Sequence, residues 1–130
     1  WTDSLGAAPS AFYRVIRDTY HAKVGKVAVF INYFHGIAGT AHIVNNRTIE
    51  LRNFSYDGQG PAVYVSVDST APVNSTPWGI SISEVIGGGP AYVNTNLIFT
   101  LPDGLDLDDV NYISIWCEQV NVDFGSGEFQ

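Results

Sequence analysis

The sequence predicts an all-β domain, an antiparallel β-sandwich or barrel of about eight strands with a short N-terminal helix. Three observations carry this. Apolar and polar residues alternate at period two, as in Val63, Val65 and Val67 against Tyr64, Ser66 and Asp68. Turn clusters such as Asp57-Gly58-Gln59-Gly60-Pro61, Gly87-Gly88-Gly89-Pro90 and Pro102-Asp103-Gly104 cut the chain into short segments. A length of 130 residues, 45% of them apolar, supplies one core and is short for two. Short strands between such turns are the pattern of sandwiches and barrels.

The elements follow in order. Ser10 caps a helix over 11–22, where Phe12, Val15, Ile16 and Tyr20 recur at helical spacing and Arg14, Arg17 and Asp18 take the wetter side. Beyond Gly25 the period becomes two. The run Val27-Ala28-Val29-Phe30-Ile31 predicts a strand buried on both faces. Residues 39–44 and 48–54 flank Asn45-Asn46 and predict a hairpin. Residues 63–68 form a half-buried strand, and 69–78 a loop rich in Ser, Thr and Pro. Ile80 with Ile82, then Leu97, Phe99 and Leu101, mark two further strands, and residues 112–117 and 120–124 the last two. In the 112–117 strand Ile113, Ile115 and Cys117 share the apolar face; Tyr112, Ser114 and Trp116 share the other. Val120, Val122 and Phe124 are out of parity with it, which predicts a bulge or tight turn at Glu118-Gln119. No repeat is evident. The chain divides into an extension, 1–24, and a β domain, 25–130.

Charge narrows the partners. The net charge is −7, and all six basic residues (Arg14, Arg17, Lys23, Lys26, Arg47, Arg52) lie at or before position 52. Ten of the thirteen acidic residues follow position 52. A nucleic-acid footprint needs clustered Lys and Arg, so that class is disfavoured, as is an anionic membrane surface. No apolar run is long enough to span a bilayer. One cysteine rules out an internal disulfide. The chain begins at Trp1 without an initiator methionine, so a mature piece that has lost a signal peptide is expected. Asn46, Asn53 and Asn74 each open an Asn-x-Ser/Thr triplet, the acceptor of N-glycans in secreted proteins. Asn46 sits at a predicted turn that would accept one. Asn53 shares parity with Ile49 and Leu51, which points it inward and counts against it.

Cys117 is the sharpest chemical candidate. A working thiol needs access and nearby positive charge or a metal. Glu118 adjoins it, no basic residue follows Arg52, and its face is apolar, so a buried cysteine packing as a small hydrophobe is the favoured reading. His21, His35 and His42 lack the close spacing of a copper or zinc site and read better as separate structural or surface histidines. Asp103, Asp106, Asp108 and Asp109 crowd one segment where calcium could bind, but the spacing is not that of an EF-hand loop; a solvated acidic turn is favoured. Gly87-Gly88-Gly89 lacks the Lys-Ser/Thr of a phosphate cradle. No Gly-x-Ser-x-Gly elbow marks a hydrolase. An aromatic surface is the other candidate: Tyr112 and Trp116 on one strand face, with Tyr64, Trp78 and Tyr92, could cover a sugar ring or mediate assembly, or could lie beneath another element.

Several segments together resemble the DM-thirteen domain family, a module of the Skeletor and Knickkopf cuticle proteins. They are His35-Gly36-Ile37-Ala38-Gly39-Thr40-Ala41-His42-Ile43-Val44, Arg47-Thr48-Ile49-Glu50-Leu51, Asn53-Phe54-Ser55-Tyr56-Asp57-Gly58, Gly60-Pro61-Ala62-Val63-Tyr64, Leu101-Pro102, Ile115-Trp116-Cys117 and Val120-Asn121-Val122-Asp123-Phe124-Gly125. They cover about residues 25–130, in order. The resemblance implies a secreted, β-rich module. Through Cys117 it implies redox chemistry, as a free thiol or as ligand of a haem or copper. The cuticle members imply organisation of a polysaccharide matrix, with matrix components, polysaccharide or a second copy as partners. The reading favoured here is a non-enzymatic extracellular matrix or binding module without cofactor, and the alternative an electron-transfer module built on Cys117.

Overall fold

The structure, a computed structural model, describes residues 20–130. The helix expected over 11–22 falls almost wholly outside that range; residues 20–25 form a bend and a turn. Nine strands follow: β1 (Val27–Val29), β2 (Ile31–Asn32), β3 (Ala38–Asn45), β4 (Thr48–Tyr56), β5 (Val63–Asp68), β6 (Ile80–Ser81), β7 (Tyr92–Thr100), β8 (Tyr112–Cys117) and β9 (Val122–Glu128). They pair antiparallel into two open sheets, β1-β3-β4-β7 and β2-β9-β8-β5-β6. The arrangement is a sandwich, and the barrel alternative falls away because the described strands never close into one sheet.

The core lies between the sheets. Ala41, Ile43, Ile49, Leu51 and Phe54 come from one side, and Val63, Val65, Val67, Ile113, Ile115 and Cys117 from the other, all essentially without exposure. Each fully buried Val, Leu, Ile or Phe contributes roughly 1.5–3 kcal/mol.

Three expectations need correction. The apolar run at 27–31 is not buried on both faces. Val29 and Ile31 are 64% and 58% exposed while Ala28 and Phe30 are buried, because the chain changes sheets at Phe30: β1 pairs with β3 and β2 with β9. Asn53 is exposed rather than inward. A register irregularity between Leu51 and Phe54 puts it in left-handed backbone (φ 53°), so strand parity stops before it. The last strand starts later and runs further than expected. Glu118 to Asn121 make the turn, Val120 is 57% exposed, and the extra residue lies in β9, where Ile115 pairs Gly125 and Trp116 pairs Asp123, leaving Phe124 unmatched.

The tail 125–128, which looks like loop in sequence, is strand for a steric reason. A Cβ on Gly125 would stand 2.6 Å from Ile37 Cβ, and one on Gly127 2.5 Å from the Val29 carbonyl, so only glycine lets the opposite sheet come this close. Gln130 then pairs with the start of β1: Val27 and Gln130 exchange two backbone hydrogen bonds, of 3.1 and 3.0 Å.

Candidate functional site

Residues far apart in sequence meet at one end of the sandwich. After β2 the chain turns through His35 and Gly36, both at φ 69°, and the Tyr33 and Phe34 amides donate to the Phe124 carbonyl at 2.9 Å. This sets the His35 ring 4.4 Å from the Phe124 ring and edge-on to Tyr56. His35 Nδ1 is 2.9 Å from Asp57 Oδ2. Burial pushes the Asp57 carboxyl up, but the Gln59 amide and His35 outweigh it and hold it below the usual carboxylate range.

Tyr56 is the hub. It stacks on Tyr92 with centroids 6.2 Å apart and planes 9° apart, touches Phe54 and Phe124, and donates its hydroxyl to the Gln59 carbonyl. Burial, then Asp57, Cys117 and Tyr92, push its phenol above its ordinary range. Cys117 pairs with Val63 and is 1% exposed, and its thiol donates to the Pro61 carbonyl at 3.2 Å. Two glycine loops seal this end. Gly58 is in left-handed backbone (φ 82°), where a Cβ would meet the Gly89 carbonyl at 2.5 Å, and its own carbonyl accepts the Gly88 amide at 2.7 Å. The triglycine is thus a docking surface for backbone.

Cys117 is sealed rather than presented. No residue able to ligate a metal forms a group with it among the described residues. Its sulfur is engaged with the Pro61 carbonyl, and the residue is 1% exposed. A haem or copper held through Cys117 does not fit these surroundings.

The histidines do not converge on Cys117. His42 lies on β3, its Nε2 2.8 Å from Thr40 Oγ1, and burial followed by Arg52 lowers its pKa. His21 Nε2 is 2.7 Å from Asp108 Oδ1 and 3.9 Å from Asp106 Oδ1, a group that could in principle hold a cation. The local bonds oppose that. His21 Nδ1 accepts the Lys23 amide at 3.0 Å, so the ring's proton belongs on Nε2, the atom a metal would need. Lys23 Nζ itself donates to the carbonyls of Leu107, Asp108 and Val110 and to Asn111 Oδ1, at 2.7–3.3 Å. The ammonium occupies the oxygen cage that calcium would want. Asp106 caps the 3-10 turn Leu107–Asp109, and Asp103 faces Arg47 at 3.5 Å. Asp109 is exposed.

Of the two alternatives for the aromatic face, Trp116 and Trp78 follow the covered one. Trp116 is 2% exposed and Trp78 9%, their rings 5.5 Å apart, with Trp78 Nε1 donating to the Thr70 carbonyl. The 69–79 loop folds over this part of the sheet and covers Trp116. Tyr64 and Tyr112 remain half-buried, and Tyr92 is taken into the Tyr56 stack.

Of the glycan candidates, Asn53 and Asn74 are exposed, while Asn46 accepts the His21 amide at 2.7 Å. Sequence reading missed two features. Tyr56 entered it only as part of a motif, and Asp123 not as a site at all: its carboxylate is 7% exposed beneath the serines of β8 and β9. The β8–β9 pairing brings Ser114 beside Asp123, and the irregularity at Phe124 brings in Ser126, three residues on along β9.

The family model "Electron transfer DM13" matches residues 29–129. The chain is similar to "Protein Skeletor, isoforms B/C" and "Protein Skeletor, isoforms D/E" of Drosophila melanogaster, 35% identical to each over 106 residues. The matched region is 77% of this chain but only 13% and 7% of those two proteins. No solved structure matches. Among the described residues no helix is long and apolar enough to cross a membrane. The chain belongs to the DM13 family.

Proposed function

We propose that this domain is a secreted, non-enzymatic module of matrix proteins whose working centre, the Cys117–Tyr56 cluster, carries electrons. One observation bears the proposal. His35, Phe54, Tyr56, Asp57 and Phe124, scattered over the family-like segments, gather into one cluster, and Cys117 lies near enough to act electrostatically on Tyr56. The description of the matching family model points the same way.

The burial of Cys117 favours one kind of chemistry over another. Disulfide exchange needs a thiolate that another sulfur can reach, and this thiol is sealed. One-electron transfer needs no atomic contact with the partner. In this reading a one-electron oxidant docked over Tyr92 and His35, the half-buried members of the cluster, takes one electron from Tyr56, whose phenolic proton is released to solvent, and a one-electron reductant with a proton from solvent restores the phenol.

Flash-quench oxidation by a ruthenium photo-oxidant, followed by electron paramagnetic resonance, tests the reading. The wild type is expected to give an organic radical that is largely lost in Tyr56→Phe and changed in line shape in Cys117→Ala. Equal radical yield and line shape in all three would end the electron-transfer reading and leave a purely structural matrix module.

A further inference from the structure

The outer face of the β2-β9-β8-β5-β6 sheet holds a groove of about 410 Å3 that shares no residue with the Cys117 cluster. Cross-strand register orders this face in rows: Tyr64, Trp116 and Asp123; Ser66, Ser114 and Ser126; Asp68, Tyr112 and Glu128. The 69–79 loop covers the Trp116 part, reaches β9 through Asn74 at Asp123, and forms one wall of the groove with Ala71 and Pro72. Asp123 and Ser126 form the remaining floor, and Tyr33, 53% exposed, and Tyr112 stand at the walls.

The hydrogen bonds of the floor define what could bind. Ser114 Oγ donates to Asp123 Oδ1 at 2.7 Å and Ser126 Oγ to Oδ2 at 2.6 Å. Both hydroxyl protons are therefore committed to the carboxylate, and Ser126 offers the groove only its lone pairs. Glu128, at the end of the groove, also only accepts when ionised. Asn74 turns its carbonyl to the Asp123 amide at 2.8 Å, which leaves its amino group as a donor at the rim. Among the described residues no basic one lines the groove. An acceptor-rich floor wants a ligand with many O–H donors, two carboxylates repel an anion, and tyrosine rings offer faces to ring C–H groups. The volume lies within the usual ligand-site range of roughly 300–1,000 Å3.

We propose that this groove binds a neutral pyranose polysaccharide, its ring faces against Tyr33 and Tyr112 and its hydroxyls donating to Ser126 and Asp123. Asn74 at the rim opens a glycosylation triplet, so the test uses the full chain made in a host that attaches no glycan. Neutral oligosaccharides of glucose, of N-acetylglucosamine and of xylose are titrated by calorimetry, beside heparin and protonated chitosan. At least one neutral oligosaccharide should bind saturably and heparin should not. Tyr33→Ala and Tyr112→Ala should each weaken binding by about tenfold or more, the worth of one aromatic contact, with Tyr56→Phe unaffected. Tyr33 is largely exposed, so its variant keeps the test valid if Tyr112→Ala fails to fold. Absence of saturable binding by any neutral oligosaccharide would overturn the proposal. So would binding unchanged in Tyr33→Ala, or preference for chitosan, which would mark an ammonium site.

Discussion

The two faces of the β8–β9 pair bury polar groups in different ways. Around Cys117 the thiol and the Tyr56 hydroxyl are satisfied by the main-chain carbonyls of Pro61 and Gln59. Around Asp123 the carboxylate is satisfied by the hydroxyls of Ser114 and Ser126, beside an open groove. Carbonyls held in a loop that is itself clamped by backbone do not rearrange, whereas hydroxyls rotate. The first region suits a centre whose surroundings must not move, the second a surface that must adjust to something from outside.

The largest expected effect breaks the clamp on the first region. Gly58→Ala combines a left-handed backbone with a Cβ driven into the Gly89 carbonyl, and should cost about 3 kcal/mol. Gly25→Ala is the control. It shares the positive φ but meets nothing within 4 Å, so only the backbone cost of about 1 kcal/mol remains. Urea unfolding midpoints measure both, and equal losses would show that the loop docking contributes nothing.

A smaller effect reports on sealing. Cys117→Ala removes one buried sulfur and should cost about 1 kcal/mol. In the unaltered chain, labelling by a bulky thiol reagent should follow the population of unfolded molecules as urea is raised. Fast labelling of the folded protein would erase the contrast between the closed and the open region.

The smallest effect concerns Asp123, which burial pushes above the ordinary carboxylate range against hydrogen bonds from Ser126, Ser114 and the Gly125 amide. A carboxyl raised in the folded state contributes stability that is complete below its unfolded value of about 3.9 and fades as pH rises through the folded one. Acidification from neutrality should therefore raise the melting temperature of the wild type relative to Asp123→Asn. Asp57, held low, acts with the opposite sign: its contribution is present above the unfolded value and lost as pH falls through the folded one. An unchanged difference between wild type and Asp123→Asn across pH would mean that Asp123 is freely solvated.

Much of the fold was legible because period two is written into the residues themselves. Val63, Val65 and Val67 face inward as their alternation requires, and residues 112–117 form a strand with the expected bounds. The failures share a cause. Val29 and Ile31 look buried because a change of sheet leaves no mark in an apolar run. Asn53 departs from parity at a register irregularity, which pairing decides and composition does not. Trp116 was assigned correctly to the non-core face, but a loop covers that face, and no local pattern announces a cover. The candidate sites were less legible still. Cys117 stood out as a single residue, while Tyr56, His35 and Asp57 acquire meaning only through contacts between distant segments.

The reciprocal hydrogen bonds between Val27 and Gln130 have a mechanical consequence. Chain segments arriving at one and leaving from the other emerge side by side, so this domain lengthens a larger protein by a bead rather than by its own span. Tension on those segments would load the two bonds in succession, opening the domain as a zip instead of shearing a sheet. A matrix protein with such a bead in series would have an early-yielding link there, and the β1–β9 seam would give way before either sheet.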